Sequence, residues 1–277
     1  MKLRKALDKA KKAREENVVA MPQAAAVPAP EIKEPRREGV SPVYSQSRSV
    51  AVDPQRAAAN RCVGIQPNAP ETESYKVLRT KILHRIRGNG WNTIMITSTQ
   101  PGEGKTLTSV NLAFTFAREY NQTVLLVDGD LKRQGINQCL GLNSDVGLID
   151  YLVDDVPLEE LIIWPGIDKL SLISGGRTIT ESSELLGSPK MKTLVREMKT
   201  RYDNRYILFD LPPVLSGADA LAFAPLVDCI VMVVEAGRTS RRDLQKALEG
   251  IPKEKFIGFV LNRQKFSKKD KYKYYYG

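Results

Sequence analysis

A segment rich in glycine, with lysine and threonine at its end, is the part of the chain best suited to chemistry. Residues 98–106 read Ser-Thr-Gln-Pro-Gly-Glu-Gly-Lys-Thr and directly follow an apolar run. This ending is typical of a phosphate-binding loop, whose successive backbone N–H groups point toward a polyphosphate. In such a loop Lys105 reaches the β- and γ-phosphates, and the Thr106 hydroxyl ligates Mg²⁺. The segment therefore predicts that the chain binds a nucleotide polyphosphate with Mg²⁺, and ATP is the nucleotide expected for the functions considered below.

The sequence around this loop supports the prediction. Gly102 and Gly104 let the main chain approach a ligand closely. Residues 107–120 have helical apolar spacing, so the loop opens a helix whose N-terminal dipole favours anions. Thr99 replaces the first glycine of the full G-x-x-x-x-G-K-[ST] pattern, and the alternative is an ordinary glycine-rich turn. The predicted nucleotide contacts are Gln100, Pro101, Gly102, Glu103, Gly104, Lys105, Thr106 and Leu107.

Carboxylates end two further apolar runs. Asp128 and Asp130 follow one of these runs, and Asp210 ends the other. A single such Asp could merely cap a helix, but three beside a phosphate loop indicate a Mg²⁺ site. Since His84 is the only histidine and lies in a predicted helix, a carboxylate, Asp128 or Asp130, must accept any proton. The predicted metal ligands are Thr106, Asp128 and Asp210, and the predicted catalytic residues are Lys105, Asp128, Asp130 and Asp210.

Strands and helices alternate from about residue 60 onward. Several of the predicted strands are continuous apolar runs, as expected for parallel strands buried on both faces. The strands are predicted at 93–98, 123–128, 170–174, 206–210, 229–234 and 256–261, with helices at 189–201 and 239–249. This pattern predicts an α/β fold, a doubly wound and mainly parallel sheet of P-loop NTPase type, with its ligand at the carboxyl ends of the strands.

Composition excludes several kinds of protein. The 277 residues contain three widely spaced cysteines without a C-x-x-C pair, so neither a disulfide framework nor a zinc site is expected. The net charge is +10, yet residues 93–262 hold 18 Lys and Arg against 22 Asp and Glu. A mildly acidic core with basic ends argues against a nucleic-acid-binding fold. No signal peptide or membrane span is apparent, so we expect a cytoplasmic protein.

The domain organisation follows from these patterns. Residues 1–16 are predicted to form a basic amphipathic helix, for which partner docking and an exposed, frayed helix are equally plausible. Residues 17–60 are rich in Ala, Pro and charge and are predicted to be a disordered linker. The P-loop domain is placed at 61–263, and a flexible tail at 264–277.

The tail is rich in aromatic residues without a folding reason for them. Tyr272, Tyr274, Tyr275 and Tyr276 alternate with lysines, after residues 267–270 have ended the apolar pattern. A lipid-interface or nucleic-acid stacking patch is an alternative. Beside a nucleotide site, a cluster of phosphate acceptors is favoured. The ten residues 266–275 extend about 35 Å, enough to reach the site of a neighbouring subunit.

Together these features resemble the bacterial tyrosine kinase family, the P-loop kinases associated with capsule and exopolysaccharide export. The similarity spans roughly residues 70–277. The family's phosphate loop corresponds to 98–106, its second Walker-type motif to 124–133 and its Walker B motif to 207–213. Residues 174–191 look like the intervening stretch, with Glu-Ser at 181–182 where Asn-Pro is usual.

The resemblance implies partners as well as activity. Glu73, Lys76 and Arg79 are similar to the family's E-x-x-R-x-x-R assembly motif, with Lys76 in place of the first Arg and its bidentate fork. By resemblance, a ring-like homo-oligomer is therefore expected. A separate membrane activator of the polysaccharide chain-length type would recruit the chain indirectly to the inner face of the membrane. Asn262, after the last predicted strand, is a candidate adenine contact.

Two functions of different classes follow. The first is an ATP-dependent tyrosine autokinase that phosphorylates its own tail in trans, with Asp128 as the base and Asp130 supporting it. The alternative is a nucleotide-switched positioning ATPase, like the chromosome-partitioning and division-site ATPases. Those proteins have an extra lysine where this chain has Gln100. A third possibility is a catalytically weak scaffold that regulates polymerisation through its phosphorylated tail.

Overall fold

The computed structural model describes residues 48–66 and 68–264. The predicted N-terminal helix, the linker up to residue 47 and nearly all of the tyrosine tail lie outside these residues. Among these residues, none of the helices combines the length and the apolar composition that a membrane span requires.

A sheet of eight strands forms the centre of the described domain. In spatial order the strands are β1-β4-β5-β3-β6-β2-β7-β8, and all neighbours are parallel except β4 and β5. The strand bounds are β1 Arg48–Ser49, β2 Thr93–Ser98, β3 Thr123–Asp128, β4 Ile162–Trp164, β5 Leu170–Ile173, β6 Arg205–Asp210, β7 Cys229–Glu235 and β8 Phe256–Asn262. The doubly wound, mainly parallel α/β fold predicted from the sequence is confirmed.

Helices cover both faces of this sheet. They are α1 Pro54–Ala59, α2 Pro70–Ile86, α3 Lys105–Ala117, α4 Gly135–Leu140, α5 Leu148–Asp154, α6 Leu158–Leu161, α7 Ser182–Leu186, α8 Pro189–Thr200, α9 Asp219–Phe223 and α10 Arg241–Glu249. Every residue of β2 and β3 is buried, since each strand has helices on both sides. One apolar core lies on each face of the sheet.

The strand order places the chemistry-bearing segments together. Strand β6 lies between β3 and β2, with Asp128 paired to Asp210 and Ile96 paired to Asp210 in the register. Because these three strands are parallel, their carboxyl ends meet at one edge of the sheet. The loop after β2 therefore faces the carboxylates that end β3 and β6, as expected for ligand sites in open α/β sheets.

The predicted linker boundary is wrong for residues 48–60. Arg48 and Ser49 pair in parallel with β4, and Asp53 caps α1 by accepting from the backbone N–H groups of Gln55 and Arg56. Ala57 of this helix is fully buried. The segment has low sequence periodicity, but backbone pairing and one buried helical face hold it on the domain, so the ordered region begins at least 13 residues earlier than predicted.

Candidate active site

The glycine-rich loop connects β2 to α3, so its backbone is set by the end of a buried strand and the first turn of a buried helix. Gly102 and Gly104 have φ angles of 84° and 95°, the left-handed region that favours glycine. A Cβ on Gly104 would lie 2.2 Å from Nδ2 of Asn262. The second glycine is thus required both by the backbone conformation and by the close approach of β8.

The side chain of Glu103 stabilises the conformation of the loop through hydrogen bonds. Its carboxylate accepts hydrogen bonds from the backbone N–H groups of Thr99 at 2.8 Å and Gln100 at 2.9 Å. The Thr239 hydroxyl donates to the other oxygen, and the side chain is 2% exposed. The carboxylate therefore holds the start of the loop, where Thr99 replaces the usual glycine, and ties it to the segment before α10.

Replacing Glu103 by glutamine is expected to weaken ATP binding by about tenfold, because a buried N–H left without an acceptor costs about 1–3 kcal/mol. The side-chain NH₂ of glutamine is itself a donor, so it would face groups that now donate to the Glu103 carboxylate. Titration calorimetry with ATP measures the change. Glu119→Gln is the matched control, since Glu119 pairs with Arg79 and Arg87 beyond the far end of α3. Equal affinities for Glu103→Gln and the unaltered chain would contradict this role of Glu103.

Lys105 and Asp210 form the centre of the site. Lys105 Nζ lies 2.8 Å from Asp130 Oδ2 and 3.3 Å from Asp210 Oδ2. The Thr106 hydroxyl donates to Asp210 at 2.6 Å, and the Ser109 hydroxyl donates to its second oxygen at 3.0 Å. The loop lysine and the loop threonine are thus in direct contact with carboxylates that the sequence predicts at this site.

Asp128 lies behind this group and is fully buried. Its two oxygens accept from the backbone N–H of Asp130 at 3.1 Å and of Ile136 at 3.0 Å. Burial, reinforced by the nearby charge of Asp210, raises the pKa of Asp128 to about 8. A carboxyl group with a pKa in this range can exchange a proton near neutral pH, which is a requirement for a general base or acid.

The charges of the cluster are strongly coupled. Burial alone would lower the pKa of Lys105, but the Asp210 and Asp130 carboxylates together raise it, so the ammonium stays protonated. Burial raises the pKa of Asp210, against the opposing effects of Lys105, Thr106 and Ser109. Three carboxyl groups around one ammonium leave the site able to accept further positive charge.

A cleft with a volume of about 570 Å³ opens above the loop. Its lining includes much of the predicted nucleotide site and several additional polar residues. The predicted residues that line it are Pro101, Gly102, Gly104, Lys105, Thr106, Leu107 and Asp130, and the additional ones are Lys132, Arg133, Gly135, Gln138, Thr178 and Pro213. The three cations Lys105, Lys132 and Arg133 would suit a polyphosphate in this cleft.

Several of these residues were not among the predicted site residues. Ser109 lies three residues after Thr106 on α3, so helical spacing could have indicated that it faces the same carboxylate. Lys132 is held by the buried Asp219, with Nζ 3.1 Å from Oδ2. Neither this pair nor Thr178 has a signal in the local sequence, because strand order alone brings them to the cleft.

Other predicted contacts point away from the cleft. The Gln100 side chain donates to Asp243 Oδ2 on α10 at 3.1 Å. Asn262 Nδ2 donates to the Glu103 carbonyl at 2.8 Å, so Asn262 contacts the back of the loop. Adenine contact by Asn262 remains a prediction.

The predicted assembly motif lies on α2. Lys76 and Glu73 pair with each other at 3.0 Å on the surface. Arg79 instead turns inward, donating to the Thr115 carbonyl at 2.7 Å and pairing with Glu119 at 2.9 Å. Any contact between subunits through this helix would therefore involve Glu73 and Lys76 more directly than Arg79.

The donor set fits Mg²⁺. Within residues 48–66 and 68–264, no group of three or more His, Cys, Asp or Glu side chains is arranged to hold a metal ion by itself. Mg²⁺ does not need such a cage, because it takes one or two protein oxygens together with phosphates and waters. The Thr106 hydroxyl and Asp210, in direct contact beside the loop, supply hard oxygen donors of this kind.

Comparison with known proteins identifies relatives of the chain. A family model described as an AAA domain matches residues 91–255. Tyrosine-protein kinase YwqD of Bacillus subtilis is 34% identical over 212 residues, covering 76% of this chain and 88% of that protein. Succinoglycan biosynthesis transport protein ExoP of Rhizobium meliloti is 30% identical over 218 residues, but these are only 27% of its length.

Solved structures of other proteins have a similar fold. The crystal structure of the chimeric protein CapA2B2 superposes with a TM-score of 0.69 at 26% identity, covering 82% of this chain and 96% of that one. The septum site-determining protein MinD of Pyrococcus horikoshii, solved with Mg-ADP, is more distant, with a TM-score of 0.52 and 65% of this chain covered. The chain belongs to the bacterial tyrosine-protein kinase family, and its fold is that of the solved structures it matches.

Proposed function

We propose that the chain is an ATP-dependent tyrosine autokinase that phosphorylates its terminal tyrosines in trans within a homo-oligomer. The observation that carries the proposal is the position of β8. This strand ends at Asn262, whose side chain bonds the phosphate loop at 2.8 Å, so the last described residues before the tail lie next to that loop. Tyr272, Tyr274, Tyr275 and Tyr276 are the proposed acceptors.

The residues of the site have separate proposed roles in phosphoryl transfer. Lys105 and the loop N–H groups would bind the phosphates of ATP, exchanging the contacts of Lys105 with Asp130 and Asp210 for contacts with phosphate oxygens. Thr106 and Asp210 would hold Mg²⁺, with Asp128 behind them. When bound, Mg²⁺ neutralises charge that develops on the phosphate oxygens.

The incoming tyrosine needs a proton acceptor. Asp128 is the proposed base, because its raised pKa of about 8 lets the carboxyl group take up and release a proton near neutral pH. Asp130 supports it by holding Lys105 in place and by donating its backbone N–H to Asp128. Lys132 and Arg133, which line the cleft, would stabilise the transferred phosphoryl group.

The cellular setting is proposed from the relatives. The kinase names and the succinoglycan transport protein among them support a role in capsule or exopolysaccharide biosynthesis. We place the chain in the cytoplasm, recruited to the membrane by a chain-length-type activator that is a separate protein. Each phosphate adds about −1.5 to −2 charge to a basic tail, so phosphorylation would change which partners the tail binds.

The alternative function, that of a positioning ATPase, has less support. Their structures match over a smaller part of the chain. The side chain of Gln100, which occupies the position of their extra lysine, bonds Asp243 outside the cleft and supplies no charge to it. A switch of this class would hydrolyse ATP to free phosphate and leave the tyrosines unmodified.

A mixing experiment tests the proposal. A Lys105→Met chain with an intact tail is incubated with labelled ATP and a chain truncated after Lys271, which keeps the cleft but lacks the acceptors. We expect label on the tail tyrosines of the Lys105→Met chain only when both proteins are present. Label that appears only when an intact cleft and an intact tail belong to the same chain would exclude transfer in trans, and release of free phosphate alone would favour the positioning ATPase.

A further inference from the structure

Two cysteines that are far apart in the sequence meet in the fold. Cys62 Sγ and Cys139 Sγ are 3.2 Å apart, although the two residues are 77 positions apart in the sequence. Cys62 follows α1 and is buried, and Cys139 lies in the last turn of α4 and is partly exposed. The wide spacing of the cysteines predicts no disulfide framework, and both of these cysteines are free thiols, but the fold brings their sulfur atoms together.

Hydrogen bonds hold together the two segments that carry these thiols. Asn60 Nδ2 donates to the carbonyls of Gln138 at 3.2 Å and Cys139 at 3.1 Å. The backbone N–H of Asp53 donates to the Leu140 carbonyl at 3.1 Å, and that of Cys62 donates to Ala57 at 2.8 Å. The segment 53–62 is therefore docked on the end of α4, and the sulfur contact is part of a fixed interface.

We propose that Cys62 and Cys139 are a thiol–disulfide modification site that a hydroperoxide oxidises to a reversible intramolecular disulfide. A bond between the sulfurs requires them to approach by roughly 1 Å, since an S–S bond is about 2.05 Å long. Only small movements at the start of the 3₁₀ turn Val63–Ile65 and at the end of α4 are needed. Both of these segments are helix termini at an interface, where such adjustment is easier than inside a strand.

The two sulfurs have different roles in the reaction. The hydrogen bond from Cys62 lowers the pKa of Cys139, which is also the more exposed of the two. The Cys139 thiolate attacks one oxygen of the hydroperoxide, the O–O bond breaks, and the other oxygen leaves with a proton as an alcohol, or as water from hydrogen peroxide. Cys62 then attacks the resulting Cys139 sulfenic acid, the S–O bond breaks, and water leaves. Two thiols lose two electrons in total, and the hydroperoxide gains them.

Cys229 provides an internal comparison. It lies at the start of β7, fully buried, with its sulfur 3.8 Å from the Thr93 carbonyl. Burial raises its pKa to about 12, so its thiolate is scarce at neutral pH. The same oxidant should leave this third cysteine reduced.

The disulfide would connect the segment 53–62 to α4, which forms part of the wall of the nucleotide cleft. Gly135 and Gln138 of α4 line the cleft, and Ile136 donates its N–H to Asp128. Oxidation therefore ties α4 covalently to residues 53–62, the segment that contains α1. A cross-link that closes a loop of this length also restricts the unfolded chain, so the oxidised protein should unfold at a higher temperature.

The test uses the full chain treated with hydrogen peroxide, blocked with N-ethylmaleimide and digested with trypsin without reductant. We expect mass spectrometry to find residues 62–76 linked to residues 134–169, and dithiothreitol to release them. Cys62→Ser and Cys139→Ser chains should lack the link and the increase in unfolding temperature. The Cys229→Ser chain should keep both.

Three results would overturn the proposal. The first is a chain whose unfolding transition shows it to be folded but whose three thiols all stay reduced. The second is a link that includes Cys229. The third is cross-linking only between separate chains on a non-reducing gel.

Discussion

Replacing Lys105 by methionine is expected to reduce tail phosphorylation by at least about 100-fold, the size of effect seen when one charge-stabilising donor is removed from a preorganised site. Lys105 is the only loop side chain in contact with both Asp130 and Asp210, at 2.8 and 3.3 Å. Without its ammonium, bound phosphates would face these carboxylates directly. Phosphotyrosine formed per minute from ATP, measured on the full chain, gives the result.

The control for this substitution must remove a paired lysine elsewhere. Lys199→Met does so, because Lys199 on α8 pairs with Asp228, just before β7, at the amino ends of the strands and away from the cleft. It should lose some stability and keep its kinase rate. Circular dichroism should show both variants to be folded at the assay temperature. A Lys105→Met chain that is folded and as active as the Lys199→Met chain would refute the role assigned to the loop lysine.

Replacing Asp128 by asparagine is expected to lower the rate of phosphoryl transfer by about 10²- to 10⁴-fold, the usual contribution of a general base. ATP affinity should change little, because Asp128 is fully buried behind the residues that line the cleft. A rate loss with an unchanged Kd for ATP separates proton transfer from nucleotide binding. Single-turnover kinetics and calorimetry measure the two quantities.

The same substitution has a consequence for stability that needs no nucleotide. The pKa of Asp128 is about 8 in the folded protein, against an ordinary value of 3.8. The folded state therefore binds more protons than the unfolded state between these values, and its free energy of unfolding falls as the pH rises from about 4 to about 8. Asp128→Asn removes this dependence, so the metal-free variant should gain stability relative to the unaltered chain as the pH rises.

Asp228→Asn is the matched control for both measurements. Asp228 is a partly buried carboxylate that accepts from Lys199 and from the backbone N–H groups of Asn92 and Thr93. Its loss should destabilise the protein without a specific effect on phosphoryl transfer. If Asp128→Asn and Asp228→Asn gave equal rates, Asp128 would not be the base, and Asp130 would be the next residue to test.

Much of the central sheet is predictable because its strands are continuous apolar runs. β2 and β3 have the predicted bounds, 93–98 and 123–128, since each run ends sharply at a polar loop residue. The contacts among Lys105, Thr106 and Asp210 also follow from local motifs, because parallel strands must bring their carboxyl ends to one edge.

Features that depend on contacts between distant parts of the chain cannot be predicted from the local sequence pattern. The short strands β1 and β4 have too few residues to show a period, and the pair β4–β5 is antiparallel. Glu103 reads as one more loop residue in the sequence, and only its burial shows that it bonds Thr99, Gln100 and Thr239. The inward turn of Arg79 likewise depends on how α2 packs against α3.

Mapping phosphate on the full chain after incubation with Mg-ATP tests the central claim most directly. The account predicts phosphate on one or more of Tyr272, Tyr274, Tyr275 and Tyr276, and none on the Lys105→Met chain incubated alone. A chain that consumes ATP while mass spectrometry finds all four tyrosines unmodified would contradict it.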